Sequence, residues 1–154
     1  MSTQTQLDPQ TLAERCAQSM WRDDLASQHL GMQIVSIKPG QATLSMTVKD
    51  TMVNGHKICH GGYLFTLADS CFAFSCNTYN QRTVAHNCNI TYVAPAFEGD
   101  TLTATGKEIS RQGRSGIYDI TITNQDGQAI VFFRGLSRTI KGTLVDVDNT
   151  EPTN

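Results

Sequence analysis

The chain has 154 residues, with 12 basic and 14 acidic side chains and a net charge of −2. That length suits one domain large enough to bury a core, and the charge balance argues against a nucleic-acid surface. The opening MSTQTQLDPQTLAERCAQSMW lacks the basic start and continuous apolar run of a secretory signal, so a cytoplasmic protein without a membrane span is expected.

In chain order, Asp8 to Leu25 predicts a helix. Asp8 is the N-cap, Pro9 takes the first helical position, and Leu12, Cys16 and Met20 form a narrow apolar stripe. MQIVSIK then predicts a strand ending at the turn Pro39-Gly40. Beyond it Ala42, Leu44, Met46 and Val48 alternate with polar residues, as in a half-buried hairpin strand. From Gly61 the run GGYLFTLADSCFAFSC carries apolar residues on every side of a helical wheel, which predicts a central helix buried all round. It is too short and too polar to cross a bilayer, which takes roughly 20 apolar residues.

Four strands follow: Thr83 to Val93, Thr101 to Ile109, Gly116 to Thr123 and Gln128 to Ile140, joined by turn-forming residues. In the first of these, alternation puts Val84, Cys88, Ile90 and Tyr92 on one face and Asn87, Asn89 and Thr91 on the other. Residues 1–142 are thus expected to form one domain, and the polar tail 143–154 a disordered segment. Strands and helices segregate along the chain, so the fold class is α+β, an antiparallel sheet wrapped around the long helix with an additional N-terminal helix. Such a sheet hides only part of its helix. The far side calls for a second protomer, so at least a dimer is expected.

Asp69 is the single acid in that apolar helix. An ionised carboxylate there costs several kcal/mol unless it is paired, hydrogen-bonded or open to a cavity, so both a structural pair and a reacting group fit it. The five scattered cysteines, Cys16, Cys59, Cys71, Cys76 and Cys88, form no C-x-x-C pair and read as reduced core thiols. His56, Cys59 and His60 lack a fourth ligand or second ligand pair, so no metal is expected. Cys59 as nucleophile lacks a residue placed to orient a histidine.

Asn54-Gly55, His60-Gly61-Gly62, Leu67-Ala68-Asp69 and Asn89-Ile90-Thr91-Tyr92-x-x-Pro95 resemble the hot-dog-fold acyl-coenzyme A thioesterases. NGH-x-x-CHGG-x-LF-x-LAD, GDTLTATG (99–106) and FRG (133–135) look like the phenylacetic-acid-degradation branch, and the similarity spans roughly residues 25 to 142. The resemblance implies a sheet curled round one helix, dimers pairing into a homotetramer, and hydrolysis of acyl-CoA thioesters with phenylacetyl or hydroxyphenylacetyl groups, needing no cofactor. It further implies that Gly61 donates its amide to the thioester carbonyl, that Asp69 is the catalytic carboxylate, and that Asn54 holds the carbonyl or the water. His60 either orients the thioester or caps the loop. Where some relatives carry Ser or Thr four residues before Asn89, this chain has Ala85.

The chemistry suits these residues. Thioester hydrolysis puts negative charge on the carbonyl oxygen, and the first amides of a helix, here those of Gly61 and Gly62, are unsatisfied donors at the positive end of its dipole. Asp69 lies eight residues further, about 12 Å along the axis, too far to serve the same carbonyl. Two central helices antiparallel across a two-fold axis would bring Asp69 of one protomer to Gly61 of the other. Asp69 then acts as nucleophile, through a mixed anhydride, or as general base on water. Arg111, Arg114, Arg138 and Lys141, near turns and strand ends, are candidates for the coenzyme A phosphates. Two other functions share the pattern: hydration or dehydration of an enoyl thioester, and non-catalytic acyl-CoA binding.

Overall fold

The computed structural model describes residues 6–148. Its elements are α1 (Pro9–Asp23), α2 (Leu25–His29), β1 (Gln33–Lys38), β2 (Gln41–Thr47), a 3-10 turn (Asp50–Met52), α3 (Gly61–Cys76), β3 (Thr83–Tyr92), β4 (Thr101–Gln112), β5 (Ser115–Thr123) and β6 (Ala129–Thr139).

The N-terminal helix starts at its expected cap, where Asp8 Oδ1 accepts the Thr11 amide at 3.0 Å. It does not run through to Leu25. Asp24 leaves helical geometry (φ −84°, ψ 74°), and its carboxylate accepts the Ser27 amide at 3.0 Å, opening the short α2. A strong capping side chain here outcompetes continuation of the first helix.

The six strands form one antiparallel sheet in the order β1-β2-β4-β5-β6-β3. The β1–β2 turn takes Gly40 at φ +72°, where an added Cβ would also lie 2.8 Å from the Tyr79 hydroxyl, so both backbone and space demand glycine. β2 keeps the alternation read from sequence, with Ala42, Leu44 and Met46 buried. β3 does not. A bulge between Ala85 and Asn87 inserts His86, so Ala85 pairs with Ser137 and Cys88 with Gly135, while Val84 moves to the other face beside Arg138 and is 43% exposed. One extra residue flips everything on one side of it.

The sheet curls around α3. Leu64, Leu67, Ala68, Cys71, Phe72 and Phe74 pack into a core with Leu44, Leu102, Tyr118, Ile120, Ile122 and Phe133. Gly135 lets Phe72 lie against β6: a Cβ there would come within 2.7 Å of three ring atoms. The helix is not buried all round within the protomer. Gly62, Thr66, Asp69 and Ala73, spaced along one face, stay partly or fully open because a single sheet reaches round only part of a cylinder. Asn77 caps the far end of α3; its carboxamide accepts the Thr83 amide at 2.9 Å and donates to Ala73 O and Thr83 O, both at 3.0 Å, fixing where β3 begins.

The first part of the expected tail lies against the N-terminal helix. Asn80 Oδ1 accepts the amides of Leu144 and Val145, at 2.9 and 3.0 Å, and Ser19 donates to Leu144 O at 2.9 Å. Residues 149–154 of that tail lie outside the described residues.

Candidate active site

Two ends of α3 and its open middle hold the residues singled out by sequence. At the N-terminal end, the loop carrying Asn54 and His60 is held by Cys59 N–H to Ala96 O (2.7 Å) and His60 N–H to Met52 O (2.8 Å). Asn54 Oδ1 accepts the amides of His56 (2.9 Å) and Ile58 (3.4 Å), which commits the oxygen to the turn and leaves the Nδ2 hydrogens for another partner. His60 Nδ1 accepts the Gly62 amide at 2.9 Å, so it is the helix N-cap and Gly62 is not a free donor. Gly61 N–H has no hydrogen-bond partner among the described residues. Of the two amides expected at this end, one remains open.

Tyr92, at the end of β3, donates to Gly61 O at 3.0 Å, and an added Cβ on Gly61 would meet its ring at 3.1 Å. Nothing in the sequence pattern singles Tyr92 out for this role, because the contact joins residues 31 apart. It walls one side of the Gly61 amide.

Asp69 sits half-buried on the open stripe, and burial pushes its carboxyl above the usual carboxylate range. The ion pairs among the described residues are Arg22–Asp23 and Arg134–Asp119, so no cation answers it. The side-chain hydrogen-bond contact it makes among the described residues is from Cys88 Sγ on β3, 4.0 Å from Oδ1. Of the two readings of this acid, the structural pair has no partner here. Cys59 is buried, its thiol pushed up to about 11 by desolvation and donated to His60 O at 3.7 Å, which leaves no thiolate at neutral pH.

The four basic candidates gather at the opposite end of α3 from Gly61, about 24 Å along the axis for a 16-residue helix. Arg111 stacks on Tyr79, 3.8 Å from the ring centroid, and donates to Gln81 at 3.3 Å; Arg114 spends Nε and one terminal nitrogen on Thr139 O. Together they edge a cleft with Thr83, Ser115, Ser137 and Tyr118. Arg138 and Lys141 are exposed nearby. Within one protomer, then, the amide, the acid and the cations are spread along the helix rather than brought together.

Residues 56–131 match the thioesterase superfamily model. The acyl-coenzyme A thioesterase PaaI of Escherichia coli is 45% identical over 129 residues, covering 83% of this chain and 91% of that protein. The chain belongs to the thioesterase superfamily. Its fold, a hot-dog, superposes on the structure of the E. coli PaaI protein from the phenylacetic acid degradation operon with a TM-score of 0.87, at 42% identity, covering 88% of this thioesterase and 99% of that chain. A Streptococcus mutans structure bound to acetyl-CoA is 26% identical, with a TM-score of 0.69, covering 73% of this thioesterase and 90% of that chain. No helix of the thioesterase, among the described residues, is long and apolar enough to cross a membrane.

Proposed function

We propose that this thioesterase hydrolyses acyl-CoA thioesters of phenylacetyl or hydroxyphenylacetyl type, in a site shared by two protomers. The observation that carries the reading is Asp69: a half-buried carboxylate that pairs with no cation among the described residues, on the face of α3 that its own sheet leaves open. The likeness to an E. coli acyl-CoA thioesterase supports the substrate class.

In the proposed site, Gly61 N–H of one protomer donates to the thioester carbonyl oxygen, at the positive end of α3, and stabilises the negative charge that forms there. Asn54 contributes its Nδ2 hydrogens to the same oxygen or to the water, while His60 acts through Gly62 by holding the helix start in place. Asp69 of the other protomer, brought opposite by a two-fold axis, either takes a proton from the attacking water or attacks the carbonyl itself. On the first route the water oxygen bonds to the carbonyl carbon as one of its protons passes to Asp69, the C–S bond breaks, and the departing thiolate takes that proton and leaves as the CoA thiol. On the second an Asp69 oxygen bonds to the carbonyl carbon as the C–S bond breaks and CoA leaves as the thiolate. Water then cleaves the mixed anhydride, releasing the free acid and restoring the Asp69 carboxylate, and the proton released goes to the thiolate. Antiparallel α3 helices also bring the cleft of Arg111 and Arg114 beside the partner's donor end, where the CoA phosphates need cations. Arg111, already stacked on Tyr79, is preorganised for this. The proposal includes dimers pairing into a homotetramer, and a cytoplasmic location, where CoA thioesters and reduced cysteines coexist.

The test is release of free thiol from phenylacetyl-CoA and from short- and long-chain acyl-CoAs. Asp69→Asn is expected to keep the oligomer and lower kcat about 10²- to 10⁴-fold. Parent-level turnover by the folded variant would remove Asp69 from the mechanism.

A further inference from the structure

The open stripe of α3 has two walls. On one side stand Cys88 and Tyr92 of β3; on the other stands α2, whose Ser27, 1% exposed, meets Ser70 across 2.8 Å. Hydrogen accounting on the α2 side has a single solution. A carboxylate only accepts, so Ser27 gives its one hydroxyl hydrogen to Asp24 Oδ2 at 2.7 Å. Ser27 can then only accept from Ser70, whose own hydrogen is thereby spent. Thr66, one turn earlier on the same face, spends its hydrogen on Gly62 O at 2.9 Å. Beside Asp69, therefore, the side chains of Thr66 and Ser70 present lone pairs and no hydrogens. An acyl group that merely filled this wall would leave those lone pairs dry and unpaired.

We propose that Ser70 is a specificity-determining residue that accepts a hydrogen bond from a donor group on the acyl chain, its own proton being held away by Ser27 and Asp24. Thr66 is the second acceptor of the same wall. The inference rests on the reading of Asp69 as the reacting carboxylate, since that is what places the acyl group beside Ser70.

The experiment compares kcat/KM for 3-hydroxyphenylacetyl-CoA and phenylacetyl-CoA, and the dissociation constants of the two free acids, in the parent, Ser70→Ala, Ser70→Thr and Ser27→Ala. The parent is expected to favour the hydroxylated member by about five-fold or more, the effect of one hydrogen bond. Ser70→Ala removes most of that ratio and Ser70→Thr, which keeps the hydroxyl, retains it. Ser27→Ala lowers the ratio by freeing the Ser70 hydrogen. Equal losses on both thioesters in Ser70→Ala would assign Ser70 to the water instead, and an unchanged ratio would assign it to neither; both overturn the proposal. If the parent hydrolyses neither thioester, the thioesterase reading fails separately, and the acids decide Ser70. A preference for the hydroxylated acid that Ser70→Ala abolishes upholds its role, and no preference in the parent overturns it.

Discussion

At the scale of single residues, Asp69 and Gly61 carry the sharpest consequences. Asp69 must be ionised either to attack or to accept a proton, so kcat should rise with pH through a value above the ordinary carboxylate pKa of about 4. A pH–rate profile flat down to that ordinary value would contradict the role. The same shift has a stability consequence. The native state keeps the Asp69 proton to higher pH than the unfolded chain does, so in the window between the two values it binds more protons and gains stability as pH falls. Above both, the full cost of the buried charge remains. Asp69→Asn should therefore raise the Tm at pH 7 even as it lowers kcat, and the gain should vanish at pH values where the unfolded carboxyl is also protonated; paired calorimetric scans at the two pH values measure the difference. At Gly61, alanine would press on the Tyr92 ring and disturb the uncommitted Gly61 amide, so Gly61→Ala should lower kcat with little change in Tm.

Among the elements, the junctions of α3 with the sheet set the positions of everything the site uses. Asn77 joins the helix end to the start of β3 through three hydrogen bonds and is 4% exposed, so Asn77→Ala strands the Thr83 amide and should cost about 2 kcal/mol in urea unfolding. Gly135→Ala tests the other junction. The added methyl has to displace Phe72, itself 1% exposed and packed between Tyr118 and Phe133, which is overpacking of about 2 kcal/mol or more. A second polar joint ties the sheet to the same helix end: Tyr79 and Tyr118 both donate to Glu108 Oε2, at 2.6 and 3.2 Å, and burial with this carboxylate pushes the Tyr79 phenol up to about 12. Arg111 rests on that tyrosine, so the proposed phosphate contact inherits its rigidity.

For the whole molecule, the question is what covers the open face of α3. Among the described residues β3 is an edge strand, bonded to β6 on one side, and Val84 and Tyr92 on it and Val93 just after it are 43%, 49% and 50% exposed. An apolar, unprotected edge beside a half-finished site is where a second copy of the chain would add. If each site takes Asp69 from one protomer and Gly61 from the other, an Asp69→Asn chain co-expressed with a Gly61→Ala chain forms heterodimers with one intact site. Statistical pairing then restores about a quarter of the parental activity beyond what either variant shows alone. A site built within one chain would show no restoration.

The local periodicities were sufficient to place α3, β2 and the four later strands, because burial on one face imprints a period of two or of 3.6 residues on any segment. The spacing from Gly61 to Asp69 was likewise enough to separate donor from acid, since helical rise is independent of context. What no period carries is the outcome of competition between hydrogen-bond partners. Asp24 starts a second helix and His86 bulges β3, so Val84 changes faces; His60 takes the Gly62 amide, leaving Gly61 alone to donate. Tyr92 on Gly61, Cys88 near Asp69 and Ser27 on Ser70 join segments 19 to 43 residues apart, and only the folded chain brings them within reach. Composition made α3 look buried on every side. The tertiary structure decided which side its own sheet cannot cover, because one curled sheet encloses only part of a helix, and that side is where Asp69 lies.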